Sequence, residues 1–251
     1  MERKAMDSDG MAVVLNPRFG KMGAKMGKTD LTSVAYDYLS SAILSFKYQP
    51  GQVIVEQAVS QQLGISRTPV REAIKKLEAE GLVRHIASLG TFVKDISIQD
   101  IEEIYQMREL LEGAALKTAI AEASDQELFA VEAALRGLEE TDVKERGRQE
   151  QYFYADKLLH DTLMKFSRNL RMISVYQNLE MQIQWLRGIS SLSPQRLVKS
   201  RQEHLAILQA LSSRDLDAAL QALTVHLSNA KENVIHIRSN LRFGAARMDL
   251  F

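Results

Sequence analysis

Two periodicities divide the chain. From Leu31 to about Ile96, helix-spaced apolar positions give way to two short β-rich runs. From Ser97 onward, long helical periodicity dominates and strand signal is almost lost. In the first stretch the spacing predicts a helix over Val34–Phe46, with Val34, Leu39, Ala42, Ile43 and Phe46 as its apolar positions. The turn Tyr48-Gln49-Pro50-Gly51 ends it. A second short helix is expected from about Glu56 to Leu63, with Gly64 as its stop. A third follows in Ile65–Leu77, where Ser66 or Thr68 can serve as cap and Pro69 is tolerated in the first turn. Its faces separate. Val70, Ala73, Ile74 and Leu77 recur at i, i+3, i+4, i+7 and face a core, whereas Arg67, Arg71 and Lys75 recur at i, i+4, i+8 on another face. After Gly81, the runs Leu82–Ile86 and Thr91–Lys94, joined by Ala87-Ser88-Leu89-Gly90, predict a hairpin.

A helix, a glycine turn and a second helix with a basic face form the helix-turn-helix layout. In it the second helix enters the major groove, where arginines bond guanine edges and phosphates. A solvated face is the alternative, and the hairpin directly behind it favours DNA. Pro50-Gly51, Glu56, Ser66-Arg67-Thr68-Pro69-Val70-Arg71-Glu72-Ala73, Leu77, Glu80-Gly81-Leu82-Val83 and Gly90-Thr91-Phe92-Val93 resemble the winged-helix domain of GntR-type regulators. The resemblance covers residues 31–96. It implies that Arg67, Thr68 and Arg71 touch a double-stranded DNA operator and that Gly90 sits at the wing tip; Lys75 joins them by its face. One departure counts against minor-groove contact by the wing: relatives carry a basic residue or His beside that glycine, and Leu89 stands here. His85 is expected on a wing strand in a structural role.

Beyond residue 97, Ser97 and Asp100 offer caps, and Ile101, Ile104, Tyr105, Leu111 and Ala115 form an apolar stripe. Arg108 falls on that stripe. An inward arginine is costly unless an anion meets it, either Glu112 one turn away or a ligand. Three further helical faces also turn polar groups inward: Phe153, Asp156, His160 and Leu163; Leu197, Arg201, His204, Leu208 and Leu211; and Ala219, Leu223, His226 and Ala230. A lone inward histidine is usually a hydrogen-bonded core residue. Three with an aspartate are harder to satisfy that way, and a divalent ion would take all four.

Tyr105–Glu112, Asp156-Lys157-Leu158-Leu159-His160, Asn169, Glu203-His204 and His226 resemble FCD, the all-helical ligand-binding domain of FadR-like GntR regulators. The resemblance runs over nearly all of 97–240. It implies Asp156, His160, His204 and His226 as ligands of a divalent ion such as zinc, nickel or manganese. It argues against fatty acyl-CoA, whose binders lack this set. It implies a small carboxylate effector at open metal positions, with Arg108 helping to clamp it; Arg201 is a second candidate from its facing alone.

Composition bounds this picture. At 45% hydrophobic and 25% charged the chain is ordinary globular material. No apolar run approaches the ~20 residues of a membrane span. Met11–Leu15 is too short for an export signal, so the cytoplasm is expected. The absence of cysteine excludes disulfides and thiolate ligands. Acidic and basic residues balance at 32 each, so any nucleic-acid site must rest on local clustering. The expected architecture is mostly α: a flexible tail over 1–30, or a basic arm on DNA; a winged helix-turn-helix domain over 31–96; an all-α FCD-like bundle over 97–240; and a C-terminal tail over 241–251. The expected protein is a homodimeric transcriptional regulator, a repressor by preference and not an enzyme. A metal-only sensor and a metal-dependent hydrolase with a DNA-binding appendage are the alternatives.

Overall fold

The computed structural model describes residues 30–138 and 148–240, and the chain divides into two compact units, Met1–Lys94 and Asp95–Phe251. The expected tails lie outside the described residues, apart from Asp30.

In the first unit, Asp30 accepts from the Thr32 amide at 3.0 Å and opens α1 (Leu31–Leu44). That cap starts the helix three residues before the expected Val34. The helix also stops short of Phe46, which takes a left-handed φ of 59° while the Tyr48 amide closes onto the Ala42 carbonyl at 3.0 Å. Phe46 therefore belongs to the turn and not to the helix face. The chain continues through β1 (Val53–Ile54), α2 (Glu56–Leu63), α3 (Arg67–Ala79), β2 (Val83–Ile86) and β3 (Gly90–Val93). The sheet order is β1-β3-β2, both pairs antiparallel, with Val53 opposite Phe92 and Arg84 opposite Phe92 from the other side. The hairpin of β2 and β3 thus gains a third strand, β1, that the sequence pattern did not announce. Leu39 and Ile43 of α1 meet the face Val70, Ala73, Ile74 and Leu77 of α3, all buried. Gly64 ends α2 at φ 65°, ψ 29°, a left-handed cap that lets the chain reach Ser66, the N-cap of α3, two residues on.

The second unit holds, among the described residues, α4 (Ile98–Glu122), α5 (Asp125–Arg136), α6 (Arg148–Phe166), α7 (Leu170–Ser190), α8 (Pro194–Ser212) and α9 (Leu216–Asn240). Ser97 and Asp100 close a reciprocal capping box at the start of α4, as Ser124 and Glu127 do for α5. Asn169 caps α7 through its side chain, and Ser193 with Pro194 opens α8. α9 packs on both α4 and α8, and α4 also packs on α6 and α7. The expected stripe Ile101, Ile104, Tyr105, Leu111 and Ala115 is buried there, and Arg108 is buried with it. No helix among the described residues is long and apolar enough to cross a membrane.

Gly64 and Gly113 make opposite predictions. A Cβ at Gly64 meets no neighbour, so Gly64→Ala carries only left-handed strain and should cost about 1–2 kcal/mol. Gly113 lies inside α4, where a Cβ would sit 3.7 Å from Leu220, an ordinary contact. Gly113→Ala should therefore raise stability by up to about 1 kcal/mol. Thermal melts of the two variants should move in opposite directions.

Candidate functional site

Arg67, Thr68, Arg71 and Lys75 all lie exposed along α3. Their charges are not idle. Glu56, in the first turn of α2, accepts from Nε of Arg71 at 2.7 Å and stands 3.8 Å from Nε of Arg67, while Lys75 pairs with Glu72 at 2.9 Å. Exposed pairs of this kind contribute ~0–1 kcal/mol each, little enough to be exchanged for phosphates or base edges. The wing turn centres on Ser88, at φ 68°, and the half-exposed Leu89. Gly90 lies one step past that tip, at φ 111°, where it starts β3 opposite Ile86. His85 sits on β2 with its ring 3.3 Å from Thr91 Oγ1.

In the second unit, Asp156 and His160 are one turn apart on α6, His204 comes from α8 and His226 from α9. One ligand atom from each lies within 4.8 Å of all the others. The three histidines are buried, and Asp156 is 19% exposed at its side chain. Two carboxylates, Glu112 fully buried and Glu203 partly buried, orient the rings. Glu112 of α4 accepts from His160 Nδ1 at 2.6 Å, and Glu203 of α8 from His226 Nδ1 at 2.9 Å. With a proton on each Nδ1, both Nε2 lone pairs are left for the cluster. There His204 Nε2 stands 3.1 Å from His226 Nε2 and 3.5 Å from Asp156 Oδ1. Three imidazoles and a carboxylate facing one another suit a divalent transition ion, zinc, nickel or manganese by donor type. Arg108 Nη2 also lies 3.2 Å from His160 Nε2, a contact that an ion there would replace.

Four arginines surround this cluster. Nε of Arg108 pairs with Glu112 at 2.8 Å, so the carboxylate one turn away is its partner. Nε of Arg187, from α7, stands 2.5 Å from Asp156 Oδ2. Arg196 makes a two-pronged bond to Glu203, at 2.9 and 2.6 Å. Arg201 donates to the Leu135 carbonyl at 2.7 Å. All four line a cavity of about 40 Å³ of water-accessible space, shared with Tyr105, Tyr152, Asp156, His204 and His226. Burial would raise the Asp156 carboxyl, but Arg187 and the three imidazoles outweigh it and hold it well below the usual range. Glu112 is likewise held low by Arg108 and His160 against its own burial. Glu203 is lowered to about 2 by His226 and Arg196.

Comparison with known proteins places these features. Residues 31–93 match the model of bacterial regulatory proteins of the gntR family, and residues 103–229 match the FCD domain, half of the chain. The chain belongs to the gntR family of bacterial regulatory proteins, in the form that carries an FCD domain. It is 26% identical over 202 residues to the uncharacterized HTH-type transcriptional regulator YdhC of Bacillus subtilis, covering 80% of this chain and 90% of that one. It is 28% identical to the HTH-type transcriptional repressor RspR of Escherichia coli, covering 81% and 88%. A crystal structure of a GntR transcriptional regulator from Rhodococcus sp. RHA1 superposes with a TM-score of 0.67 at 25% identity, covering 87% of this chain and all of that one. This GntR protein is thus a DNA-binding transcriptional regulator and not an enzyme.

Of the site residues expected in this GntR protein, Asp156, His160, His204 and His226 converge, Arg108 and Arg201 line the same cavity, and the four α3 residues share one exposed face. Sequence reasoning missed Arg187 and Arg196, and it quoted Glu203 in the FCD resemblance without giving it a role. Arg196 precedes it by seven residues, two helical turns, and that spacing was its available signal.

The neutral rings make stability depend on pH. Burial lowers His226 to about 4 and His204 well below 6.5, and the neighbouring imidazoles push the same way. Between pH 6.5 and 4 the unfolded chain takes up protons that the folded chain refuses, so stability must fall as pH falls. The loss is about 1.4 kcal/mol per pH unit for each such histidine and ends for His226 near its folded value. Glu112, Asp156 and Glu203, all depressed, add further loss below about pH 4.5. Chelator-treated protein should show a urea midpoint that drops steadily from pH 7 to pH 5. A midpoint unchanged over that range contradicts neutral, desolvated rings.

Proposed function

We propose that this regulator is a cytoplasmic homodimeric repressor whose operator affinity falls when a small carboxylate binds at a divalent ion held by Asp156, His160, His204 and His226. The observation that carries this reading is the convergence of four donor atoms within 4.8 Å, from three helices, in a cavity that also holds arginines. When bound, the ion supplies an electrophilic anchor for a carboxylate oxygen. Glu112 and Glu203 hold the His160 and His226 rings by their Nδ1 protons. Arg187 steadies Asp156 from the other oxygen.

The output lies in α3. Arg71, Arg67, Thr68 and Lys75 contact the operator, and two copies read the half-sites of a palindrome. Glu56 keeps Arg71, and more loosely Arg67, near the exposed face of α3 through pairs weak enough to be given up to DNA. α4, which carries both Arg108 and Glu112, begins five residues after β3 of the DNA-binding unit ends, so the chain links the two covalently. An acid that binds one arrangement of α4 better than another shifts the population of DNA-competent dimers by that difference in affinity.

Elemental analysis of untagged protein purified without chelator tests the site directly. About one zinc, nickel or manganese ion per chain is expected in the wild type and far less in His204→Ala. The same variant should still bind operator but no longer release it with the effector. Metal content equal to wild type refutes the donor set. For the DNA side, Arg71→Ala should weaken operator binding about tenfold to a hundredfold, as for loss of one bidentate base contact. Unchanged affinity in a gel-shift titration removes Arg71 from the interface.

A further inference from the structure

The chain passes from one unit to the other with no spare length. The Val93 amide closes β3 onto the Gln52 carbonyl at 2.9 Å, and the Lys94 amide donates to the Leu82 carbonyl at 2.9 Å, so the first unit holds its chain up to its last residue. The residues that follow belong to the second unit and are held at once. Ile96 is 3% exposed, and Ser97 forms with Asp100 the capping box that starts α4. The crossing therefore rests on the one peptide between Lys94 and Asp95.

Arg238, in the last turn of α9, grips this crossing from the far end of the sequence. Its Nη2 donates to Asp95 Oδ2 at 2.7 Å and its Nε donates to the Ile96 carbonyl at 3.0 Å. A cation in a helix's last turn ordinarily serves that helix's own final carbonyls and its dipole. Here two guanidinium donors leave the helix instead, for acceptors 142 and 143 positions earlier in the chain. One planar group thus spans a carboxylate and a backbone carbonyl of consecutive residues, a fork that the point charge of a lysine does not reproduce. The side chains of Arg238 and Asp95 are 22% and 43% exposed, so the pair adds little to overall stability. What it supplies is direction: the segment that enters α4 is bound at the same time to the end of α9.

We infer that Arg238 is a positioning residue for operator binding: by fixing Asp95 and Ile96 on α9, it sets the direction in which the chain leaves the helical unit and so limits the placements open to the winged helix. A dimer that reads two half-sites gains from the second only as far as its second DNA-binding unit is already held near the right spacing. A slack crossing spreads those placements and lowers the effective concentration at the second half-site, while the α3 contacts at either half-site stay as they are. This rests on the dimeric reading proposed above.

The test compares full-length wild type and variants on the duplex that wild type selects from random DNA, and on the same duplex with one half-site scrambled. Arg238→Ala should bind the intact duplex about tenfold more weakly, with affinity for the scrambled one kept within about twofold, the pattern of lost effective concentration and not of a lost DNA contact. Arg238→Lys keeps the charge at the helix end and should still lose most of the preference for the intact duplex; a lysine variant equal to wild type overturns the two-acceptor fork. Asp95→Asn leaves α9 untouched and should lose part of the preference, which guards against a general effect of altering that helix. Equal weakening on both duplexes, or no weakening on either, overturns the inference. Limited trypsin digestion gives an answer that does not need the dimer: Arg238→Ala should be cut after Lys94 about tenfold faster than wild type, as for a segment released to open locally. An unchanged rate there refutes the clamp. Wild type that binds both duplexes alike removes the dimeric reading, and the digestion then decides the role of Arg238 alone.

Discussion

Arg108 and Glu112 are 2% and 0% exposed, one turn apart on α4, and His160 of α6 closes onto the same carboxylate at 2.6 Å. Charges taken this far from water are tolerated only when each finds the other with good geometry. The arrangement therefore dictates more than it contributes in net energy. Glu112 must face inward because Arg108 does, and His160 must present Nε2 to the cluster because Nδ1 is bound to Glu112. Tyr176 of α7 adds its hydroxyl to the same carboxylate at 3.3 Å, so three helices are set by one acidic side chain. Truncating Glu112 would leave the buried Arg108 guanidinium without its carboxylate, a loss of about 3–5 kcal/mol.

The same logic repeats across the cluster with different partners. Glu203 serves His226 and Arg196 as Glu112 serves His160 and Arg108, and Asn229 also donates to Glu203 at 2.8 Å. Asp156 stands apart because one oxygen faces the histidines while the other faces Arg187. Two of the three imidazoles thus have a carboxylate behind them, and all lie among arginines. That combination gives basic, well-oriented nitrogens in surroundings already prepared for negative charge, which is what recognition of an anion beside a metal requires.

Much of this was legible in sequence wherever periodicity was the signal. The α3 faces separated because apolar and basic residues keep different helical phases, and Asp156, His160, His204 and His226 stood out as polar residues on apolar stripes. Two kinds of information were not local. β1 is two residues long and exists through its pairing with β3, so no alternation could reveal it. Arg187, Arg196 and Glu203 are residue types whose default place on a helix is solvent. The burial of Arg187 and Arg196 and the partial burial of Glu203 follow from which helix packs opposite, α8 against α9 for the last two. Arg108 was readable as needing an anion, and the structure pairs its Nε with Glu112 one turn away on the same helix.

The two units of the chain handle arginine by opposite physics. On α3, Glu56 holds Arg71 and Arg67 in an exposed fork, where water and salt screen the pair and keep exchange for a phosphate or base edge inexpensive. Around the cluster, Arg108 and Arg196 are buried against carboxylates that cannot leave without a large desolvation cost. The exposed set suits reversible docking on a polyanion of any sequence, sharpened by a few base contacts. The division of its arginines between screened and desolvated surroundings gives one chain of zero formal net charge two physically different cationic settings.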